Sequence, residues 1–228
     1  MTLRRQSGNM YDFVTHTWNV IKGKCPHDCL YCYMKRFKLG PIRFDEKEME
    51  RDLGKDRYIF VGSSNDMFAH GIPLEWTSKV IKHTTQYQEN RYLFQTKNPE
   101  QALRYRNDLP SIITMGTTIE TNRDVYLSKA PPVLDRAMAI QKFGFIGCQT
   151  MITIEPIVDF DMKQMVTLIR VANPTWVNIG ADSKGHNLVE PSLDKVQELI
   201  GKLNEFTEVR KKTNLARLTD AIWLTDAI

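Results

Sequence analysis

Six short runs rich in Val, Ile, Phe, Tyr and Thr, at 13–19, 58–62, 92–96, 112–118, 150–154 and 176–179, alternate with stretches carrying helical signals. β-Branched and aromatic residues suit a pleated, half-buried surface, so these runs read as strands. Between them, 74–88 opens behind Pro73 and carries Trp76, Val80 and Ile81 at helical spacing. The stretch 99–105 follows Asn98, an N-cap residue with Pro at the first helical position. Further helices are expected over 131–143, 161–171 and 192–206, and a terminal one over 208–224. Strands alternating with helices imply βαβ units on a parallel sheet. About six units in 228 residues suit an α/β fold of the partial (βα)6 TIM-like barrel type, since a closed eight-unit barrel typically takes about 250 residues. One domain is expected over 1–228, with a helical extension from about 208.

Directly after the first expected strand comes Cys25-Pro26-His27-Asp28-Cys29-Leu30-Tyr31-Cys32-Tyr33, a C-x3-C-x2-C spacing. Parallel α/β barrels carry their active residues in loops at the C-terminal ends of strands, and the motif stands in such a place. Three thiolates this close can converge on one metal centre and leave its fourth position open to a substrate or cofactor. Three readings compete. A disulfide framework has little to build on, with four Cys in 228 residues. The opening Met1-Thr2-Leu3-Arg4-Arg5-Gln6 lacks an apolar segment behind its basic residues, and no apolar run approaches membrane-spanning length, so a reducing, cytoplasmic setting is expected. A structural zinc site usually joins paired half-sites from two parts of the chain, whereas this run stands alone and His27 sits between two cysteines with poor reach. Cys148, in Phe145-Ile146-Gly147-Cys148, reads as a buried strand residue. An iron–sulfur centre is the third reading, and the position of the motif favours it.

The spacing matches the hallmark of the radical S-adenosylmethionine (SAM) superfamily, and the chain resembles a radical SAM enzyme. That resemblance implies a partial six-unit barrel in which Cys25, Cys29 and Cys32 bind three irons of a 4Fe–4S cluster, and SAM binds the fourth. It implies one-electron reduction by an external donor of flavodoxin or ferredoxin type, and a 5′-deoxyadenosyl radical that abstracts a substrate hydrogen. By the same resemblance Tyr31 packs near the adenine. The segment Gly62-Ser63-Ser64-Asn65-Asp66 stands where the superfamily carries a Gly-Gly-Glu-like stretch that meets the SAM ammonium, and departs from it; alternatively it is a polar turn. Lys97, in Gln95-Thr96-Lys97-Asn98, resembles the lysine that approaches the SAM carboxylate in the spore photoproduct lyase branch. Thr118 and Glu120 end the fourth strand, within reach of the ribose or methionine part. Glu155 ends the fifth, where a carboxylate aimed into a barrel mouth needs a partner. The stretch Thr15-His16-Thr17-Trp18-Asn19, the cysteine loop, Ile154-Glu155-Pro156 and Gly180-Ala181-Asp182-Ser183 resemble a family of uncharacterised phage and bacterial radical SAM-like proteins related to spore photoproduct lyase. Val20 stands where that family usually has Pro.

Three functions follow as expectations. The first is a radical SAM enzyme acting on a nucleobase or modified thymidine, in phage DNA by analogy, and then in the host cytoplasm. A net charge of +4 and the basic run Met34-Lys35-Arg36-Phe37-Lys38 beside the cysteines would suit phosphates and stacked bases. The second keeps the chemistry with a peptide or small metabolite. Against peptides stands the lack of further cysteine-rich motifs. The third is a non-enzymatic, zinc-stabilised nucleic-acid-binding module. A hydrolase reading finds no G-x-S-x-G, H-E-x-x-H or Walker A sequence. Leu218-Thr219-Asp220-Ala221-Ile222 recurs as Leu224-Thr225-Asp226-Ala227-Ile228, a local duplication.

Overall fold

The computed structural model describes residues 2, 3, 5 and 11–219. In chain order they form β1 (His16–Trp18), β2 (Ile21–Lys22), β3 (Arg43–Phe44), α1 (Glu46–Met49), β4 (Tyr58–Val61), α2 (Leu74–Thr84), β5 (Arg91–Gln95), α3 (Pro99–Ala102) and β6 (Ile113–Thr118). There follow α4 (Val133–Phe145), β7 (Gln149–Ile154), α5 (Met162–Ala172), β8 (Trp176–Ile179), α6 (Leu193–Asn204), β9 (Glu208–Lys211) and α7 (Ala216–Thr219). Seven strands make one sheet in the order β1-β4-β5-β6-β7-β8-β9, every neighbour parallel. The order follows the chain, as the βαβ alternation requires. Strands β2 and β3 pair separately as a short antiparallel ribbon.

All six expected strands stand in the sheet; its seventh strand, β9, and the short β2–β3 ribbon do not figure in the sequence pattern. Of the stretch 208–224 the described residues, 208–219, begin as β9, parallel to β8, and among them α-helix is confined to Ala216–Thr219. Glu-Val-Arg-Lys has one apolar residue and charges on both faces. That composition suits an edge strand, and four residues are too few for periodicity to separate strand from helix. The C-terminal repeat lies almost wholly outside the described residues. Cys148 precedes β7 as a half-buried residue against the core, and does not lie within a strand. Asn98 does precede α3, but its Nδ2 donates to the Phe68 carbonyl (3.1 Å), so its side chain makes no cap bond.

Both faces of the sheet are covered, as a parallel sheet demands; β6 and β8 are buried along their whole length. On one face Ile59, Val61, Tyr92, Phe94, Met115, Ile152, Ile154, Val177 and Ile179 meet the helices. The helices answer with stripes at i, i+3, i+4 and i+7: Met165, Leu168, Ile169 and Ala172 on α5, and Val196, Leu199, Ile200 and Leu203 on α6. Ser192 caps α6 by accepting from the Lys195 N–H (3.4 Å), and Asn173 ends α5 in the left-handed conformation (φ 45°). On the opposite face, Phe60, Leu93, Met151 and Trp176 form a second apolar layer covered by Tyr11, Phe13 and Val14. Gly116 makes room in that layer: a Cβ there would stand 2.7 Å from Met151 Cε.

Towards the C-terminal strand ends the same face turns polar. Thr118 is in register with Thr153, Thr153 with Asn178, and Asn178 with Arg210. This tier, directly beyond the apolar layer, is the floor of the site.

Candidate active site

A cavity of about 1070 Å³ opens over the polar tier, at the upper end of the ~300–1,000 Å³ usual for ligand sites. Cys25, Cys29 and Cys32 all line it. Their loop is shaped by its own backbone: Asp28 N–H donates to the Cys25 carbonyl and Cys32 N–H to the Cys29 carbonyl (both 3.2 Å), with Asp28 left-handed at φ 48°. His27 anchors the loop from beneath. Its ring is buried, with Nε2 2.8 Å from Asp66 Oδ2. The same carboxylate accepts from Thr96 Oγ1 (2.9 Å) and the Lys97 N–H (2.8 Å), and its other oxygen accepts from the Phe68 N–H (3.0 Å). Burial works to raise the Asp66 pKa, but these donors hold it below the ordinary carboxylate value. Burial pushes the Cys25 thiol up to about 12, with the Asp66 charge adding to it, and burial raises the Cys29 thiol against the opposing charge of Lys97. Among the described residues, no three of His, Cys, Asp and Glu converge on a single-ion site.

Beside the cysteines runs the turn after β4. Gly62 adopts φ 76° and its N–H reaches back to the Trp18 carbonyl (2.8 Å). Asn19 ties the turn down. Its Nδ2 lies 3.1 Å from Ser63 Oγ, and its Oδ1 accepts from the Ser64 N–H (2.9 Å) and the Ser63 hydroxyl (3.2 Å). Tyr33 OH donates to the Ser63 carbonyl (2.8 Å). Asn65 donates through Nδ2 to the Gly23 carbonyl (3.0 Å), which fixes the orientation of the amide. Its Oδ1 is then a buried acceptor with no partner among the described residues, on the cavity wall.

At the back of the cavity Glu120, Lys97 and Arg136 form a charged trio joined by the Tyr31 hydroxyl. Glu120 accepts through one oxygen from Lys97 Nζ and Tyr31 OH in short bonds, and through the other from Arg136 Nη1 (3.1 Å). Arg136 reaches in from α4 and also donates to the carbonyls of Thr118 (2.9 Å) and Pro131 (2.7 Å). Burial raises the Glu120 pKa, but the charges of Lys97 and Arg136 prevail and bring it to about 2. Tyr31 is driven well above its ordinary value by burial, with Glu120 adding to the shift. Lys97 Nζ also lies 4.9 Å over the Tyr31 ring.

The wall opposite the cysteines comes from β7, β8 and β9. Glu155 accepts from Lys212 Nζ and Asn214 Nδ2 (both 2.7 Å). Gly180 permits this close approach, since a Cβ there would stand 2.8 Å from both Glu155 Oε1 and Asn214 Oδ1. Lys212 Nζ sits 4.7 Å over the Tyr11 ring, and Tyr11 OH donates to Gln95 Oε1 (2.7 Å) and bonds Thr153 Oγ1 (2.8 Å). Burial raises the Tyr11 pKa, and the hydroxyl stays protonated. Asp182 holds His186 Nδ1 at 2.6 Å on the same rim.

Of the residues expected from sequence, Cys25, Cys29, Cys32, Tyr31, Gly62, Ser63, Ser64, Lys97, Thr118 and Glu155 all line this one cavity. Glu120 lies behind it, buried beneath Lys97 and Tyr31. Sequence reading missed the His27–Asp66 anchor, Arg136, Asn19, Tyr11, Asn178, Lys212 and Asn214. The polar ends of β4 and β8 signalled some of these. Tyr11 and Lys212 gave no signal, because one precedes the first strand and the other follows a strand read as helix.

The chain shares its fold with solved spore photoproduct lyases. One, carrying a cysteine-to-alanine substitution, is 12% identical, with a TM-score of 0.66 over 92% of this chain and 81% of that one. Another, complexed with dinucleoside spore photoproduct, is 13% identical, with a TM-score of 0.58 over 90% of this chain and 64% of that one. A third, a double mutant with bound AdoMet and dinucleoside spore photoproduct, is 12% identical, with a TM-score of 0.57 over 90% and 66%. Among curated proteins none matches this chain. No helix among the described residues is long and apolar enough to cross a membrane. The model of the family described as "Protein of unknown function (DUF5131)" matches residues 9–199, and the chain belongs to that family.

Proposed function

We propose that this protein is a radical SAM enzyme acting on a nucleobase or nucleotide. The observation that carries the reading is the placement of Cys25, Cys29 and Cys32. All three line one cavity at the C-terminal end of a parallel sheet, in a single loop following its first strand. The fold shared with spore photoproduct lyases supports it.

The residues present fit the group. The three thiols are free and all line one cavity, with no disulfide between them. Asn65 Oδ1 is an unpaired buried acceptor where a ligand ammonium needs one. When bound, the 4Fe–4S cluster and SAM supply a 5′-deoxyadenosyl radical, formed with one electron from an external flavodoxin- or ferredoxin-type donor, that removes a substrate hydrogen atom. Cys25, Cys29 and Cys32 would hold the cluster through their thiolates and leave it open to SAM. Asn65 and Ser64 take the SAM ammonium, because the Ser63 hydroxyl is committed to Asn19. Gly62 keeps that turn in shape. Lys97 takes the carboxylate, with Glu120 and Arg136 fixing its position. Tyr31 and Thr118 flank the nucleoside part, and Glu155 meets the substrate from the opposite wall.

Three observations support the substrate class. Fold relatives are complexed with a dinucleoside photoproduct. The cavity has room for more than one ligand. Arg36, Lys184 and Lys211 add positive charge to its lining, beside Arg210 and Lys212, which are paired with Glu208 and Glu155. Anaerobically purified protein should contain about four irons and four sulfides, the content of one cubane cluster. Ala at Cys25, Cys29 or Cys32 should abolish them. A colourless protein holding one tightly bound zinc overturns the proposal.

A further inference from the structure

The cysteine loop has a second side. Cys29, Tyr31, Cys32, Met34 and Arg36 line the cavity, whereas Leu30, Lys35, Phe37 and Lys38 do not line it and are exposed. Leu30 is 47% and Phe37 49% exposed. The loop that follows β6 lies against this side. The Leu30 N–H donates to the Leu127 carbonyl (2.9 Å), and the Lys129 N–H to the His27 carbonyl (2.7 Å). That loop adds the exposed Val125 and Tyr126, the latter 64% exposed. Single exposed apolar residues are ordinary on a protein surface. Here four of the eleven large exposed hydrophobic residues among the described ones fall on one loop and its bonded neighbour. Such a cluster, rimmed by charge, marks an interaction surface.

The rim is basic. Lys24, Lys35, Arg36, Lys38 and Lys129 stand there against two acids, Asp28 and Asp124. Asp28 is neutralised within the patch by Lys35 Nζ (2.9 Å) and Lys129 Nζ (3.2 Å). Lys24 and Lys38 form no ion pair among the described residues. The Lys24 N–H donates to the Gly40 carbonyl (3.0 Å), which ties the start of the loop to the stretch beyond Lys38. Leu30 stands between Cys29 and Cys32 in the chain, so the patch is the solvent side of the loop that carries the thiols. Leu30 and Val125 offer no ring for a base to stack on, and the patch lies off the cavity a base would enter. A protein of opposite charge fits it better than a nucleic acid.

We infer that this patch docks a small acidic protein carrying a one-electron flavin or iron–sulfur centre, with Leu30, Phe37 and Tyr126 as its apolar middle and Lys24 and Lys38 steering the partner. The inference rests on the proposed function, which needs an electron from outside, and adds where that electron enters. The carrier is oxidised by one electron as the centre held by the cysteines is reduced by one, and no bond forms or breaks in the transfer. Opposite charges speed the encounter and fix its orientation. Weak electron-transfer complexes bury less than about 1,200 Å² in total, so a patch built on one loop and its neighbour suffices.

The test uses the reconstituted full chain and two acidic probes, a flavodoxin and a 2Fe–2S ferredoxin. Calorimetry at low and high salt reads their binding without turnover. The wild type should bind at least one of them at low salt and lose about tenfold or more in affinity as salt is raised. The double variant Lys24→Glu, Lys38→Glu should bind about tenfold or more weakly at low salt, with a flatter salt dependence. Phe37→Ser should weaken binding and leave the salt dependence as it is. Failure of the wild type to bind either carrier overturns the inference and needs no variant to fold. Unaltered binding by a folded, iron-replete double variant also overturns it, as does a double variant that loses affinity for a short single-stranded oligonucleotide and keeps it for the carrier. Dithionite delivers electrons without docking, so SAM cleavage driven by dithionite tests the proposed function separately and should be equal in wild type and variants. A protein that cleaves SAM with dithionite but docks neither carrier keeps that function and loses this surface.

Discussion

Replacing Glu120 by Gln removes the carboxylate that Lys97 and Arg136 share at the back of the site. Both cations are largely buried, with side chains 12% and 5% exposed. Removing one partner of a buried ion pair typically costs about 3–5 kcal/mol, because the remaining charge stays desolvated. The acidity of Glu120 gives a second route to the magnitude. Its pKa falls from 4.5 to about 2 on folding. At ~1.4 kcal/mol per unit, that is on the order of 3 kcal/mol. A folded-state pKa below the unfolded one means the stabilisation is complete above about pH 4.5 and is lost as pH falls towards 2. Urea unfolding of wild type and Glu120→Gln should therefore differ by about 3 kcal/mol at pH 7, and the gap should narrow below pH 4.5. A gap under about 0.5 kcal/mol at pH 7, no larger than an ordinary surface substitution gives, refutes the reasoning. So does a gap that persists undiminished into acid.

Asp66→Asn should loosen the cysteine loop through His27, lowering stability by about 2–4 kcal/mol and reducing the iron retained after gel filtration. Full stability with full iron would contradict the anchoring role. Gly180→Ala should lower stability by about 1–3 kcal/mol, because its Cβ meets Glu155 and Asn214 at 2.8 Å, whereas Gly144→Ala, with nothing within 4 Å, should be neutral or stabilising; thermal melts decide. Lys97→Met should weaken SAM binding about tenfold or more by calorimetry on the clustered protein, and an unchanged affinity removes Lys97 from the site. Cys148→Ala should leave iron content unchanged, as this thiol packs against the core rather than in the cavity.

Six strands were legible because Val, Ile, Phe, Tyr and Thr concentrate where both faces of a sheet are buried. The cysteine loop was legible because its three ligands fall within eight residues of one another. Strand β9 was not, since an edge strand of Glu-Val-Arg-Lys carries no burial signal. That miss hid more than a strand. Glu155 was singled out as a carboxylate in need of a partner, and its partners, Lys212 and Asn214, stand just beyond β9. The Asn178–Arg210 pairing depends on the same strand. Arg136 was hidden for a different reason: a buried arginine on an amphipathic helix looks like any surface arginine until the carboxylate beneath it is seen.

If the three cysteines serve SAM chemistry, 5′-deoxyadenosine should form when the reconstituted protein meets SAM and a one-electron reductant under anaerobic conditions. The wild type should yield 5′-deoxyadenosine and methionine in equal amounts, and Cys25→Ala, Cys29→Ala and Cys32→Ala neither. With nucleosides deuterated at candidate positions, label should appear in the 5′-deoxyadenosine. A protein that holds its full complement of iron and sulfide yet leaves SAM uncleaved is not a radical SAM enzyme.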